Sequence, residues 1–261
     1  MLTTNSYGTV TPQPSLLIVH GLFGSARNWG AAARRLADRG LVLVPDLRNH
    51  GDSPWADSQS YADMAGDLAD LAALHGPMDV LGHSMGGKAA MLLALTRPEL
   101  VARLIVADIA PVAYRHSHSS HIAAMRALDI AAITSRSQAD LQLAPTVADP
   151  GIRAFLLQSL DLKSDPHRWR LNLDVLERDM DLITGWPEVT GQFPGPTLFL
   201  SGAQSDYVQS THRAPIKALF PTARFAKIPD AGHWLHADQP RAFEATVRAF
   251  FAPPPDPTIG Q

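Results

Sequence analysis

The sequence predicts an α/β fold in which helices flank a mostly parallel sheet and a helical segment interrupts the middle of the chain. Three observations predict it: apolar strand-like runs alternate with helical patterns in both halves, the alternation stops between about residues 111 and 194, and the 261 residues are 46% hydrophobic and 18% charged. Strands joined by helices pair in parallel and bring the loops that follow them to one edge of the sheet. Functional residues are therefore expected in those loops.

The first part of the chain contains three strand–helix units and a further strand. Strands are predicted at residues 16–20, 41–46, 78–82 and 101–108, and helices at 28–39, 61–75 and 84–96. Gly40 ends the first helix, and Met64, Leu68, Leu71 and Leu74 recur on one face of the second. These elements predict that residues 1–110 belong to one core.

The second part of the chain contains an insertion and then a return to the sheet. Short helices are predicted at residues 122–132, 137–143, 151–160 and 173–183, then strands at 197–201 and 223–228 and helices at 212–220 and 240–251. Residues 111–194 are therefore interpreted as a helical cap, inserted after the strand that ends at Asp108, and residues 195–251 as the rest of the core. Residues 252–261 are Pro-rich, and a flexible tail is expected there.

Composition excludes several classes of protein. The chain has no cysteine, which excludes disulfides, cysteine metal ligands and thiol nucleophiles. A net charge of −3, with no basic run beyond Arg34-Arg35, argues against a nucleic-acid partner. Residues 1–14 lack the features of a secretory signal, and no apolar run approaches membrane-spanning length. We expect a cytoplasmic protein, a monomer or homodimer, with no membrane partner.

The most informative motif is Gly82-His83-Ser84-Met85-Gly86, which matches the G-x-S-x-G nucleophile elbow of serine hydrolases. An apolar run precedes it and an alanine- and leucine-rich helical pattern follows, as the motif requires. The two glycines leave room for strand and helix beside a serine on a strained turn. Ser84 is the predicted nucleophile, and the Met85 N–H, at a helix N-terminus, is a predicted oxyanion donor.

A serine hydroxyl becomes a good nucleophile only when a base takes its proton and a carboxylate orients that base. The predicted base is His233, because it follows the last predicted strand and so lies on a loop at the carboxyl edge of the sheet. His236 is close in sequence, but it falls in the next helix and is expected to point away.

Two aspartates are candidates for the orienting carboxylate. Asp206 follows the strand that more often carries this residue, but it comes one position late, and Ser205 stands in the usual place. Asp108 ends the strand at 101–108, where the backbone is best fixed. Asp108 is favoured, and Asp206 stays open.

Two polar loops flank the predicted site. The glycine-rich segment His20-Gly21-Leu22-Phe23-Gly24 ends the first strand, and the Leu22 N–H is the predicted second oxyanion donor, with the Phe23 N–H as its alternative. His20 is expected to be a hydrogen-bonded structural residue. The second loop follows the strand at 41–46, and Arg48 is expected to pair with Asp46 and brace it.

The substrate pocket is expected between Ser84 and the cap, with a lining of large apolar side chains. The predicted substrate-binding residues are Phe23, Phe155, Trp186 and Trp234. Such walls favour a small ester with an apolar acyl or aromatic group.

Histidines 116, 118 and 121 could bind a metal by residue type. No carboxylate is close to them in the sequence, however, so no metal site is predicted and a solvated loop near the site is expected.

Together these segments resemble the α/β-hydrolase superfamily. With Asp108-Ile109-Ala110-Pro111 and Gly232-His233-Trp234, they look like the branch that holds small bacterial short-chain carboxylesterases and mitochondrial abhydrolase-domain lipase-like proteins. The resemblance implies a capped serine hydrolase that acts on esters or thioesters without metal or cofactor. In the bacterial esterases of this branch the triad acid is the aspartate of the Asp-Ile-Ala-Pro motif, which corresponds to Asp108. This chain departs from the branch by carrying Asp206.

The prediction is therefore a carboxylesterase that hydrolyses small or short-chain esters through an acyl-enzyme. A thioesterase, a lactonase or a lipase-like acyl hydrolase could use the same triad, and a non-catalytic binding protein is a more distant alternative.

The segment from Gly82 to Gly87-Lys88 also resembles a phosphate-binding P-loop. Ala89, however, stands where that motif needs a hydroxyl for magnesium, which argues against a nucleotide site.

Overall fold

A computed structural model describes residues 1–253 of the chain. The strands are β1 (Thr4–Tyr7), β2 (Leu16–Val19), β3 (Val42–Pro45), β4 (Met78–His83), β5 (Val101–Ala107), β6 (Leu160–Asp161), β7 (Arg168–Trp169), β8 (Thr197–Gly202) and β9 (Arg224–Ile228). The helices are α1 (Ala26–Leu36), α2 (Tyr61–Ala73), α3 (Met85–Thr96), α4 (Ser119–Arg126), α5 (Arg136–Leu143), α6 (Pro150–Leu157), α7 (Leu173–Arg178), α8 (Met180–Thr184), α9 (Arg213–Leu219), α10 (Leu235–Asp238) and α11 (Pro240–Phe250). The predicted strands and most of the predicted helices lie within a few residues of these bounds.

Seven of the strands form one sheet in the order β1-β3-β2-β4-β5-β8-β9. Every neighbouring pair is parallel except β1 with β3, so the predicted mostly parallel sheet is confirmed. The strand order reverses direction around β2, which makes the sheet doubly wound. The carboxyl ends of β2, β4, β5, β8 and β9 therefore lie along one edge, where such folds bind ligands.

Helices cover both faces of the sheet. In β2, Leu16 and Ile18 belong to one buried cluster and Leu17 and Val19 to the other, as the alternation of side chains along a strand requires. The first cluster includes side chains of α1 and α11, and the second includes those of α2 and α3. Burial on both faces explains why β2 and β3 are continuous apolar runs in the sequence.

The strand β1 was not predicted, because the sequence Thr-Asn-Ser-Tyr has no apolar run. It lies at the sheet edge, half-exposed, and its backbone pairs antiparallel with β3 from Thr4↔Pro45 to Tyr7↔Val42. Backbone hydrogen bonds hold this strand in place, and of its side chains Tyr7 packs against the buried cluster that includes α1.

The inserted segment, which lies between the neighbouring strands β5 and β8, includes the predicted cap at residues 111–194. It contains α4 to α8 and the antiparallel pair β6–β7, which the sequence did not predict. The predicted helix at 173–183 is two helices, α7 and α8, with a break at Asp179. The Asp179 carboxylate accepts the Gln59 N–H at 2.8 Å, and this bond ties the break to the loop before α2.

The predicted tail lies outside the described residues from position 254 onward. Within residues 1–253, no helix has the length and apolar character needed to cross a membrane.

Candidate active site

Ser84 lies on the turn between β4 and α3, with φ 52° and ψ −123°. This is a strained conformation for a residue with a side chain. The turn brings neighbouring backbone very close to both glycines of the motif. A Cβ atom on Gly82 would lie 2.3 Å from the Gly86 carbonyl oxygen, and one on Gly86 would lie 2.3 Å from the His20 carbonyl oxygen. The turn therefore requires residues without side chains at both positions.

His233 lies on the loop between β9 and α10, and its Nε2 atom is 3.1 Å from Ser84 Oγ. Two contacts fix this loop and ring. His83 Nε2 donates to the His233 carbonyl oxygen at 2.8 Å, and the Tyr207 ring stacks on the imidazole with centroids 4.1 Å apart. Burial lowers the pKa of His83 well below its ordinary value, so His83 is a neutral hydrogen-bond donor.

Asp108 follows β5, is completely buried and has φ 54°. Its Oδ2 atom is 2.7 Å from His233 Nδ1 and accepts the Ser205 hydroxyl at 2.5 Å, while Oδ1 accepts the Gly202 N–H at 3.1 Å. Of the two aspartates left open by the sequence, the structure brings Asp108 to His233. Ser205, which occupies the usual position of the acid, instead donates to that carboxylate, a role that sequence reasoning missed.

The glycine-rich loop after β2 is held by two buried histidines. His20 Nε2 accepts the Leu47 N–H at 2.9 Å, and His50 Nε2 accepts the Phe23 N–H at 3.3 Å. Burial lowers the pKa of His20 to about 4 and that of His50 to about 3, so both rings are neutral acceptors at pH 7. The Phe23 N–H, the alternative oxyanion donor, therefore already has a partner, and Leu22 stays the predicted donor.

The expected pairing of Arg48 with Asp46 is wrong. The Asp46 carboxylate accepts backbone N–H groups from Ala26, at the start of α1, and from Asp52, both within 2.8 Å. Arg48 instead pairs with Asp67 on α2 through bonds of 2.6 and 2.9 Å. A carboxylate near a helix N-terminus is well satisfied by backbone donors, so Asp46 has no need of the arginine.

A profile of the Alpha/beta hydrolase family matches residues 16–246. The chain belongs to this family. It is 45% identical over 249 residues to the mouse (Mus musculus) sn-1-specific diacylglycerol lipase ABHD11, covering 92% of this chain and 81% of that one. It is 36% identical to Esterase YbfF of Escherichia coli, covering 90% of this chain and 92% of that one. A solved marine microorganism esterase superposes with a TM-score of 0.90 at 37% identity and covers 95% and 98% of the two chains. The resemblance inferred from the sequence is confirmed.

A cavity of about 760 Å³ opens beside Ser84 in this α/β hydrolase. Phe23, Phe155 and Trp234 line it, with His118, His121 and His233, and the rings of Phe155 and Trp234 lie 5.5 Å apart. The fourth predicted lining residue, Trp186, does not line this cavity. Its ring instead packs against Tyr61, the first residue of α2, with centroids 6.2 Å apart.

Two histidines of the inserted segment, His118 and His121, lie in the wall of this cavity, whereas His116 does not. His116 is exposed, whereas His118 and His121 are half-buried, and their rings stack with centroids 5.9 Å apart. Burial lowers the pKa of His118 to about 4, so its ring is neutral at pH 7. The described part of the chain has no group of three His, Cys, Asp or Glu side chains that could hold a metal.

Lys88 connects α3 to the inserted segment, whereas the lysine of a P-loop binds phosphate. It is buried on α3, and its ammonium group donates to the carbonyl oxygens of Thr184 and Gly185 in the inserted segment. The Nζ atom also lies 4.8 Å from the Tyr114 ring centroid. Burial lowers its pKa to about 7. The P-loop interpretation therefore has no support in the surroundings of this lysine.

Proposed function

We propose that this α/β hydrolase is a serine carboxylesterase, which hydrolyses small or short-chain carboxylic esters through an acyl-enzyme intermediate. The observation that carries the proposal is the unbroken chain of contacts from Ser84 Oγ through His233 to Asp108, at 3.1 and 2.7 Å. This is the geometry in which a serine hydroxyl can be activated by a histidine base. Two esterases among the similar proteins support the same class of substrate.

In the acylation step, Ser84 Oγ attacks the ester carbonyl carbon and His233 Nε2 takes the hydroxyl proton. The negative charge on the carbonyl oxygen is stabilised by the N–H groups of Leu22 and Met85, the second of which begins α3. His233 then gives its proton to the leaving alcohol oxygen as the carbon–oxygen bond breaks. Asp108 holds the imidazole in the required tautomer and stabilises its charged form.

In the deacylation step, water takes the place of the alcohol. His233 removes a proton from the water and hydroxide adds to the acyl carbon. The bond from that carbon to Ser84 Oγ then breaks as the histidine gives the proton to Oγ.

Residues 111–194 act as the cap over this site, and residues 1–110 with 195–251 form the core that holds it. The steps need only side chains, backbone donors and water. The cytoplasmic location and the monomer or homodimer state stay predictions.

Substitution of the nucleophile tests the proposal. The wild-type protein is expected to release p-nitrophenol from p-nitrophenyl acetate with a burst of one equivalent per protein, and Ser84→Ala should lower kcat by at least about 10⁴-fold. Ser6→Ala, an exposed position on β1, is the matched control and should keep wild-type activity. A Ser84→Ala protein that retains a tenth of the wild-type rate would rule out this assignment.

A lipase acting on acylglycerols is the second candidate. It is favoured by the 45% identity to the mouse sn-1-specific diacylglycerol lipase and by the large, partly apolar cavity beside Ser84. Turnover of a dispersed dioctanoylglycerol at a kcat/KM above that of p-nitrophenyl acetate would favour the lipase. Turnover of the soluble acetate alone would favour the carboxylesterase.

A further inference from the structure

Two cavities of very different size meet at Ser84. The large cavity, about 760 Å³, contains His233, Phe155 and Trp234 in its wall. The small cavity has a volume of about 30 Å³ and lies on the side of Ser84 that faces Met85, Ile109 and Tyr114. Ser84 and Leu22 line both cavities, whereas His233 lines only the large one. The two parts of an ester bound at Ser84 therefore have two different spaces available.

Proton transfer decides which part of the ester enters which cavity. The leaving alcohol oxygen must lie within hydrogen-bond reach of the base, because it receives the proton that His233 Nε2 took from Ser84. The alcohol part therefore extends into the cavity that contains His233. The carbonyl oxygen points to the Leu22 and Met85 N–H groups, so the remaining direction, toward the small cavity, is that of the acyl group.

The small cavity sets a narrow limit on that group. A single water molecule needs about 10–15 Å³ of such space, so about 30 Å³ holds a methyl or ethyl group but no long chain. Its walls are also held in place. The Tyr61 hydroxyl donates to the Ile183 carbonyl oxygen at 2.5 Å, and the Tyr114 hydroxyl donates to the Tyr207 carbonyl oxygen at 2.7 Å. Lys88 is tied to the inserted segment in the same wall.

We infer that this enzyme selects esters by a small acyl group and a large alcohol group, with Ile183 and Ile109 as specificity-determining residues of the acyl side. The inference rests on the proposed esterase function. Its substrate class is the acetate and propanoate esters of long-chain or aromatic alcohols. After acylation the small group stays in its cavity, and the water for deacylation enters through the large cavity once the alcohol has left.

Two isomeric esters test the orientation directly. Octyl acetate and ethyl octanoate have the same formula and similar hydrophobicity, but the long chain is on the alcohol in the first and on the acyl group in the second. We expect kcat/KM for octyl acetate to exceed that for ethyl octanoate by at least about 10-fold, since a single poorly accommodated methylene can cost that much. Equal values, the reverse order, or no turnover of octyl acetate would overturn the inference.

Variants connect this preference to the cavity walls. Ile183→Ala should raise kcat/KM for ethyl octanoate by about 5-fold or more, whereas Phe155→Ala, in the large cavity, should lower kcat/KM for octyl acetate and leave that for ethyl octanoate unchanged. Ile216→Ala is the matched control, an equally buried isoleucine on α9 that lines neither cavity. If Ile183→Ala melts far below Ile216→Ala, Ile109→Ala replaces it. A kcat/KM for ethyl octanoate that rises in Phe155→Ala but in neither isoleucine variant would refute the assignment.

Hydrolysis of p-nitrophenyl acetate separates this inference from the proposed function. If neither the acetate nor the two isomers are hydrolysed, the esterase proposal itself fails. If p-nitrophenyl acetate is hydrolysed in a Ser84-dependent manner but the isomers show the reverse order, the esterase proposal stands and only the cavity assignment is wrong.

Discussion

Replacing Asp108 with asparagine tests which carboxylate serves His233. The side chain is completely buried, and its two oxygens face different donors. Oδ1 accepts the Gly202 N–H, while Oδ2 lies 2.7 Å from His233 Nδ1. In Asp108→Asn, the amide oxygen is expected to keep the Gly202 N–H and the NH₂ group to face His233. The NH₂ group can only donate, so Nδ1 must accept, and the ring proton moves to Nε2, where it blocks proton transfer from Ser84.

The size of the loss follows from the two orientations that the new amide can take. In the orientation just described, the wrong tautomer is expected to lower kcat by about 10⁴-fold, the cost of this change in a serine-protease triad, or about 5 kcal/mol. The flipped amide restores the tautomer but sets its NH₂ group against the Gly202 N–H, which leaves a buried donor unsatisfied at a cost of about 1–3 kcal/mol. It also lacks the charge that stabilises imidazolium. We therefore expect a loss of about 10²- to 10⁴-fold in kcat.

The assay is steady-state hydrolysis of p-nitrophenyl acetate at pH 8, with thermal melting to show that the variant is folded. Asp206→Asn is the matched control, because within the described residues Asp206 makes no hydrogen bond to His233. It should stay within about 3-fold of the wild type, as expected for a change outside the hydrogen-bonded network. Equal, small losses in both variants, or a larger loss in Asp206→Asn, would refute the reasoning.

Two further predictions concern Ser205 and His236. Ser205→Ala removes a hydrogen bond to the Asp108 carboxylate and should lower kcat by about 10-fold or more with little change in KM, since bonds to charged groups contribute about 1.5–3 kcal/mol; an unchanged kcat would show that the bond has no role. His236 stacks on Trp29 at 4.0 Å, and burial lowers its pKa to about 4. Between pH 6.5 and 4 the unfolded chain therefore binds a proton that the folded chain does not, so stability falls as the pH falls. In urea titrations, His236→Phe should reduce the loss in unfolding free energy between pH 6.5 and 5 by about 1.5 kcal/mol, whereas the exposed His75→Gln should match the wild type. A loss in His236→Phe as large as in the wild type would contradict a buried neutral ring.

The sheet could be predicted from the sequence because most of its strands bury both faces. Strands such as β2 and β3 consist of uninterrupted buried residues, and their apolar runs mark them without ambiguity. The edge strand β1 left no such pattern, because its half-exposed side chains contribute little and its pairing with β3 comes from the backbone. The break at Asp179 was missed for a similar reason: it depends on a bond to Gln59, which is 120 residues away.

The candidate site could be predicted only as far as local motifs define it. The Ser84 turn needs its glycines within two residues, so the sequence carries that signal. The choice between Asp108 and Asp206 depends on how the ends of β5 and β8 lie side by side, and spacing alone does not give that register. Ser205 could have been found from one clue, a hydroxyl in the position where the carboxylate is usually found. The place of Trp186 depends on the path of the inserted segment, which has no periodic signal.

In the proposed mechanism, the place of His233 in the chain also decides when Ser84 can become reactive during synthesis. Ser84 and Asp108 come from neighbouring strands in the first half of the chain, whereas the loop that carries His233 follows β9, which pairs only with β8 at the far edge of the sheet. A nascent chain that has folded through β5 has the strained serine turn and the carboxylate but no imidazole between them. The hydroxyl therefore stays an ordinary alcohol on the ribosome until residue 233 has emerged and β9 has joined the sheet.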